Sequence, residues 1–148
     1  MKSFTISSKE DRSAKLWESI EKHRAMTREQ FRQAVQVARE SDRHIGEVLY
    51  EFAGPAGDSV LVALAHYHGI PSVILRKRII ASYVLNLLPK EVAEQHSVVI
   101  FKKIGGTIHV ATTNPENTQT IEFIQKKTGL VPKVYLTSPA DISHALKR

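Results

Sequence analysis

The chain has 148 residues, 42% of them apolar, a net charge of +6 and no cysteine. This length admits one domain or two compact subdomains with a real core. The missing cysteine excludes disulfides and thiol chemistry and fits a reducing compartment. No run of about 18 apolar residues is present to cross a membrane, and the opening MKSFTISSKEDRSAK lacks the apolar segment of a secretory signal. A cytoplasmic protein is expected.

The charge is unevenly placed. Residues 1–70 hold ten Lys/Arg and ten Asp/Glu, whereas residues 71–148 hold eleven and five. The excess collects in Arg76-Lys77-Arg78, Lys102-Lys103, Lys126-Lys127 and Lys147-Arg148. A basic face of this kind suits nucleic acid, an anionic membrane surface or an acidic protein, and equally a plain solvated surface.

In chain order, Leu16, Ile20 and Trp17 mark one side of a helix over 9–24. Thr27 stands three residues before Gln30, the capping-box spacing, and Phe31, Ala34, Val35 and Ala38 continue a helix over 28–40. Ile45, Val48, Leu49 and Phe52 predict a short third helix, broken at Gly54-Pro55-Ala56-Gly57. Asp58 or Ser59 is expected to cap a fourth, with Val60, Leu61, Leu64 and Ala65 inward and Gly69 and Pro71 ending it.

The pattern then changes. Ser72-Val73-Ile74-Leu75 reads as a short strand, Ile79–Leu88 as a buried helix, and Pro89 opens a helix through Gln95. Val98–Phe101 and Thr107–Ala111 read as a hairpin turned at Gly105-Gly106. Asn114-Pro115 opens a helix through Lys127, with Ile121 and Ile124 inward. A strand over Val131–Leu136 and a terminal helix from Ser138-Pro139 follow. The expected fold is α+β. A helical subdomain, 1–70, precedes a small α/β subdomain, 71–148, in which helices cover a short sheet with a hairpin and a βαβ unit.

The helical half carries a weak internal repeat. Lys15-Leu16, Ile20, Phe31 and Val35 recur as His44-Ile45, Leu49, Val60 and Leu64, offset by 29 residues throughout. No catalytic set accompanies it. The Walker A and GxGxxG patterns are absent. His66 and His68 point in different directions on a helix and no carboxylate cluster completes a metal set. His109, in a strand, reads as a surface or hydrogen-bonded side chain rather than a base. The chain is expected not to be an enzyme.

Three stretches together resemble the N-terminal domain of the assembly ATPases of type II secretion and type IV pili. They are Ile45-Gly46-Glu47-Val48-Leu49; Val60–Ala65 with Gly69-Ile70-Pro71; and Leu88–Ala93 followed by the hairpin and Val110–Pro115. Thr128-Gly129 and Asp141–Leu146 fit the end of the same pattern, so the resemblance covers roughly residues 14–148. It implies a non-catalytic docking and regulatory domain. The partners it implies are the cytoplasmic domain of an inner-membrane platform protein and the domain's own or a partner ATPase motor. The location is then peripheral to that membrane through proteins, with neither membrane insertion nor specific nucleic-acid binding. The chain ends where the family's linker would begin, as expected of an excised piece or a standalone relative.

One branch of that family, the MshE-like ATPases, binds cyclic di-GMP through a tandem motif. The resemblance places the corresponding ligand positions at Lys15, Leu16, His44, Ile45, Gly46, Leu49, Val60, Leu64 and Tyr67, with Arg43 one residue from the expected place, and this sensor is the first alternative function; a nucleic-acid-binding module using the basic second half is the other. The 29-residue offset equals that motif's repeat. Several polar positions depart from it: Lys15 and His44 stand for Arg, Ala38 and Tyr67 for Gln, and Trp17 and Arg24 for Gly. Lys is a point charge and His mostly neutral at pH 7, so the forked grip of Arg on phosphate or guanine is lost there. Arg43 is the nearby substitute, and Trp17 or Tyr67 offers a stacking surface.

Overall fold

The computed structural model describes residues 2–54 and 57–147, with residues 2–11 described by their backbone alone. The chain divides into two units, residues 1–69 and 70–148.

Among the described residues the first unit holds four α-helices: α1 (Lys2–Lys22), α2 (Arg28–Ser41), α3 (Ile45–Ala53) and α4 (Gly57–His68). Helix α1 starts earlier than the apolar spacing indicates. Helix α2 is set by its cap. Thr27 Oγ1 accepts from the Gln30 N–H at 3.2 Å, and Gln30 Oε1 accepts from the Thr27 N–H at 3.0 Å, so two orphan donors are satisfied reciprocally. Phe31, Ala34 and Ala38 then bury one stripe, and Asp42 closes the helix in the left-handed region with φ 54°. Of the expected break before α4, Pro55 and Ala56 lie outside the described residues. Asp58 does not cap α4: the helix already runs from Gly57, and Asp58 sits in its first turn.

Helix α1 packs on α4 and α2 on α3. Leu16, Ile20, Phe31, Leu49, Val60, Leu61 and Leu64 are buried between them. The buried Ser19 hydroxyl donates to the Ala63 carbonyl, tying α1 to α4. Arg28 and Gly57, which begin α2 and α4, are 29 residues apart.

The second unit holds α5 (Ser82–Leu85), α6 (Lys90–His96), β1 (Val98–Ile104), β2 (Thr107–Thr112), α7 (Thr118–Thr128), β3 (Val131–Leu136) and α8 (Pro139–Leu146). The sheet order is β1-β2-β3, with β1 antiparallel and β3 parallel to β2. The expected α+β architecture, hairpin and crossover are all present. Gly105 turns the hairpin with φ 57°, a conformation that a side chain disfavours. Ile100, Ile108, Val110, Ile124 and Ile142 share one core.

Three expectations are corrected here. Ser72–Leu75 is no strand: Ser72 makes a single bridge to Leu136, and Leu75–Lys77 forms a 3-10 turn. Pro71 has no N–H to extend that ladder. Residues 79–88 are no buried helix: only Ser82–Leu85 is helical, and Ile79 is 99% exposed. The segment is pinned instead by Ile80, Val84 and Leu88, four residues apart and all buried. Helix α7 begins at Thr118, not Asn114. Asn114 Oδ1 accepts from the Glu116 N–H in a turn, and Asn117 is the cap, accepting from the Thr120 N–H at 3.3 Å.

Candidate functional site

The ligand positions expected in the helical unit separate into two kinds. Leu16, Leu49, Val60 and Leu64 are core side chains, and Gly46 is buried. Ile45 and Tyr67 are half-buried and Lys15 is exposed. His44 is the N-cap of α3, its Nδ1 accepting from the Gly46 N–H at 3.3 Å. A side chain at Gly46 would put its Cβ 3.1 Å from that ring, so glycine there leaves room for the cap. Arg43 forms a two-pronged pair with Glu51, one limb at 3.0 Å. That pair raises the Arg43 guanidinium and lowers the Glu51 carboxyl from their ordinary values, chiefly through the hydrogen bond. Of the expected polar ligands, His44 is thus engaged in capping and Arg43 in pairing.

A more open surface lies between α1 and α2. Trp17, Arg28, Phe31, Arg32, Val35 and Arg39 border a groove of about 840 Å³. The Arg28 guanidinium sits 5.2 Å over the Trp17 ring, and Trp17 and Phe31 have centroids 5.3 Å apart. Arg28 held against the Trp17 ring can meet a flat anionic ligand, in a groove that Glu18 and Glu40 also line. The three arginines came from an exposed stripe of α2 that sequence spacing reads only as the polar side of a helix. Tyr67 lies edge-on to His68 at 5.0 Å. His66 meets His23 at 5.5 Å, and among the described residues no group of three or more His, Cys, Asp or Glu could hold a metal.

The second unit has a cationic surface of its own. Strand register places Lys102 opposite His109 and His109 opposite Lys133. Phe101 is the extra residue of a bulge between Ile100 and Lys102, and its ring packs against His109 at 5.8 Å and Tyr135 at 5.1 Å. Arg78 lies 5.2 Å over Phe101, and the Lys133 ammonium 5.5 Å from the Tyr135 ring. Burial, then the charges of Lys133, Lys102 and Arg78, hold the His109 imidazole below its ordinary pKa. Two of the sequence clusters contribute to this surface and Lys133 was missed. Period-two alternation along β3 is the signal that marks it.

The architecture is that of a two-unit α+β domain with open surfaces in each unit and no phosphate-binding loop in its sequence. Residues 68–148 match the MshEN domain family, and the chain belongs to that family. Two type IV pilus assembly ATPases named PilB are similar to it. The Myxococcus xanthus protein is 25% identical over 136 residues, which are 92% of this chain and 24% of the relative. The Thermus thermophilus protein is 29% identical over 125 residues, 83% of this chain and 14% of the relative. The chain therefore spans about a quarter of the first relative and less of the second. Its fold is similar to that of MshE in a structure with cdg, at a TM-score of 0.70 and 16% identity over 90% of this chain and 96% of that one. It is also similar to the N-terminal domain of XpsE, at 0.64 and 15% over 92% and 94%. The domain is thus of the kind found at the N-terminus of secretion and pilus ATPases. No described helix is long and apolar enough to cross a membrane.

Proposed function

We propose that this chain is a docking and regulatory domain of a type II secretion or type IV pilus assembly ATPase. Its partner is the cytoplasmic domain of the inner-membrane platform, which keeps the motor in the cytoplasm and peripheral to that membrane. The family match across residues 68–148, in a chain with no Walker A pattern, is the observation that carries this reading. Calorimetry with the platform's cytoplasmic domain tests it. Saturable binding is expected, and no heat with the cognate platform domain overturns it.

A second reading is a cyclic di-GMP sensor in the helical unit. It is favoured by the likeness in fold to MshE in its structure with cdg and by the Trp17–Arg28 groove. For this ligand to use Arg43, a phosphate must compete with Glu51 for the guanidinium, which weakens the grip at the expected position. Trp17 is the sole tryptophan, so its fluorescence reports directly on the groove. A saturable change on titration with cyclic di-GMP supports sensing. A flat titration with no calorimetric heat removes it and leaves docking untouched.

A further inference from the structure

The sheet of the second unit has one covered face and one partly open face. Ile100, Ile108 and Val110 point to the covered side and are buried. Directly paired residues share a face, so the open side carries Ile104, Thr107 and Val131 in one row and Lys102, His109 and Lys133 in the next. Ile104 and Val131 are 55% and 58% exposed, and both lysines are exposed. Arg78, over Phe101, adds a further cation, and the fully exposed Ile79 follows it in the chain. The charges acting on His109 all have one sign.

The geometry selects among anions. The row Lys102–His109–Lys133 crosses three strands and spans about 10 Å at the backbone. That is wide for one phosphate and suits carboxylates two or three residues apart on a chain. Base stacking is disfavoured because Phe101 is only 6% exposed. Strand addition is disfavoured as well. The Val131 N–H points to β2 and the Leu136 N–H points away to Pro71. Alternation therefore turns position 132 outward, where Pro132 offers no donor. An occupant bridging Lys102 and Lys133 therefore lies across the face rather than along the β3 edge.

We infer that this face docks an acidic segment of a partner protein, two or more Asp or Glu side chains meeting Lys102, His109 and Lys133 while an apolar side chain rests on Ile104 and Val131. The inference rests on the docking reading for its biological partner, but its chemistry is tested independently.

The isotope-labelled whole chain is titrated with a blocked hexapeptide alternating acidic residues and leucine, then with the lysine counterpart. Saturable shifts of the amides of Lys102, His109 and Lys133, weakened by salt and absent with the basic peptide, are expected. Lys102→Glu with Lys133→Glu is expected to weaken binding about tenfold or more, whereas Lys126→Glu with Lys127→Glu on α7, the same charge change elsewhere, leaves it intact. No shifts at millimolar peptide, shifts confined to other surfaces, or binding only to anionic vesicles or to nucleic acid overturns the inference. Titration with the platform's cytoplasmic domain separates the two readings. Binding mapped elsewhere sinks this face and keeps docking to the platform. No platform binding, with the peptide still on the face, sinks that docking and keeps the face.

Discussion

Arg76 Nη1 lies 2.8 Å from Asp141 Oδ1, joining the 3-10 turn to the first turn of α8. Asp141 is 1% exposed at its side chain and Arg76 40%. Within the basic cluster Arg76-Lys77-Arg78, one cation therefore serves the fold while Arg78 serves the sheet face.

This pair sets an order of effects. Arg76→Gln leaves a buried carboxylate without its cation and is expected to cost more than Asp141→Asn, with either loss about 1–3 kcal/mol. The double variant recovers part of the sum, because the two residues are in contact. Urea melts of the four proteins check this. Strict additivity refutes the coupling.

Arg24 occupies a left-handed conformation with φ 51° after α1. A non-glycine residue there costs roughly 1–2 kcal/mol, and glycine recovers part of this against its greater freedom in the unfolded chain. Arg24→Gly is expected to raise the melting temperature by a few degrees. A lower value would show that Arg24 makes a compensating contact.

Neighbouring isoleucines should respond oppositely. Ile79 is 99% exposed and Ile80 7%. Ile79→Lys is expected to change stability by less than about 0.5 kcal/mol, whereas Ile80→Ala costs about 2–4 kcal/mol through lost burial and the cavity it leaves. A buried helix over 79–88 would not single out Ile80 in this way, so denaturant midpoints distinguish the two structures.

His109 gives a pH signature. Burial and the cations around it depress its folded pKa. The unfolded chain then binds more protons, so stability falls as pH drops from about 6.5, the unfolded value, through the lower folded one. Above that window His109 contributes no slope. His109→Gln is expected to flatten the loss of stability between about pH 7 and 5, as read by urea melts. Direct titration of the ring by magnetic resonance should give a midpoint below the ordinary histidine value, and an ordinary midpoint removes the effect.

Much of the architecture was legible because its signals are local. The Thr27–Gln30 capping box, the Gly105-Gly106 turn and the Ser138-Pro139 helix start each act within a few residues. Failures came where two local signals competed. Asn114 looked like a helix start, yet its side chain closes a turn onto Glu116, and Asn117 takes the cap. Residues 79–88 are apolar enough for a buried helix, yet only Ile80, Val84 and Leu88 are buried, with Leu85 and Leu87 packed partly against the same core. The expected ligand set had the same difficulty. Apolar spacing marks Leu49, Val60 and Leu64, and that spacing is also what a helical core requires.

The sequence by itself determined the three strands of the sheet and most of the helices, the uneven division of charge, the Thr27 and Ser138 caps and the family pattern, because each is written in residues close together in the chain. Only the tertiary structure decided which cations converge. Lys102 and Lys133 come from the two outer strands and flank His109 on β2 through pairing, while the one-residue bulge at Phe101 reverses the side-chain phase of β1. A shift of one residue exchanges the two faces of a strand, so no count of lysines along the chain could show where the positive face lies.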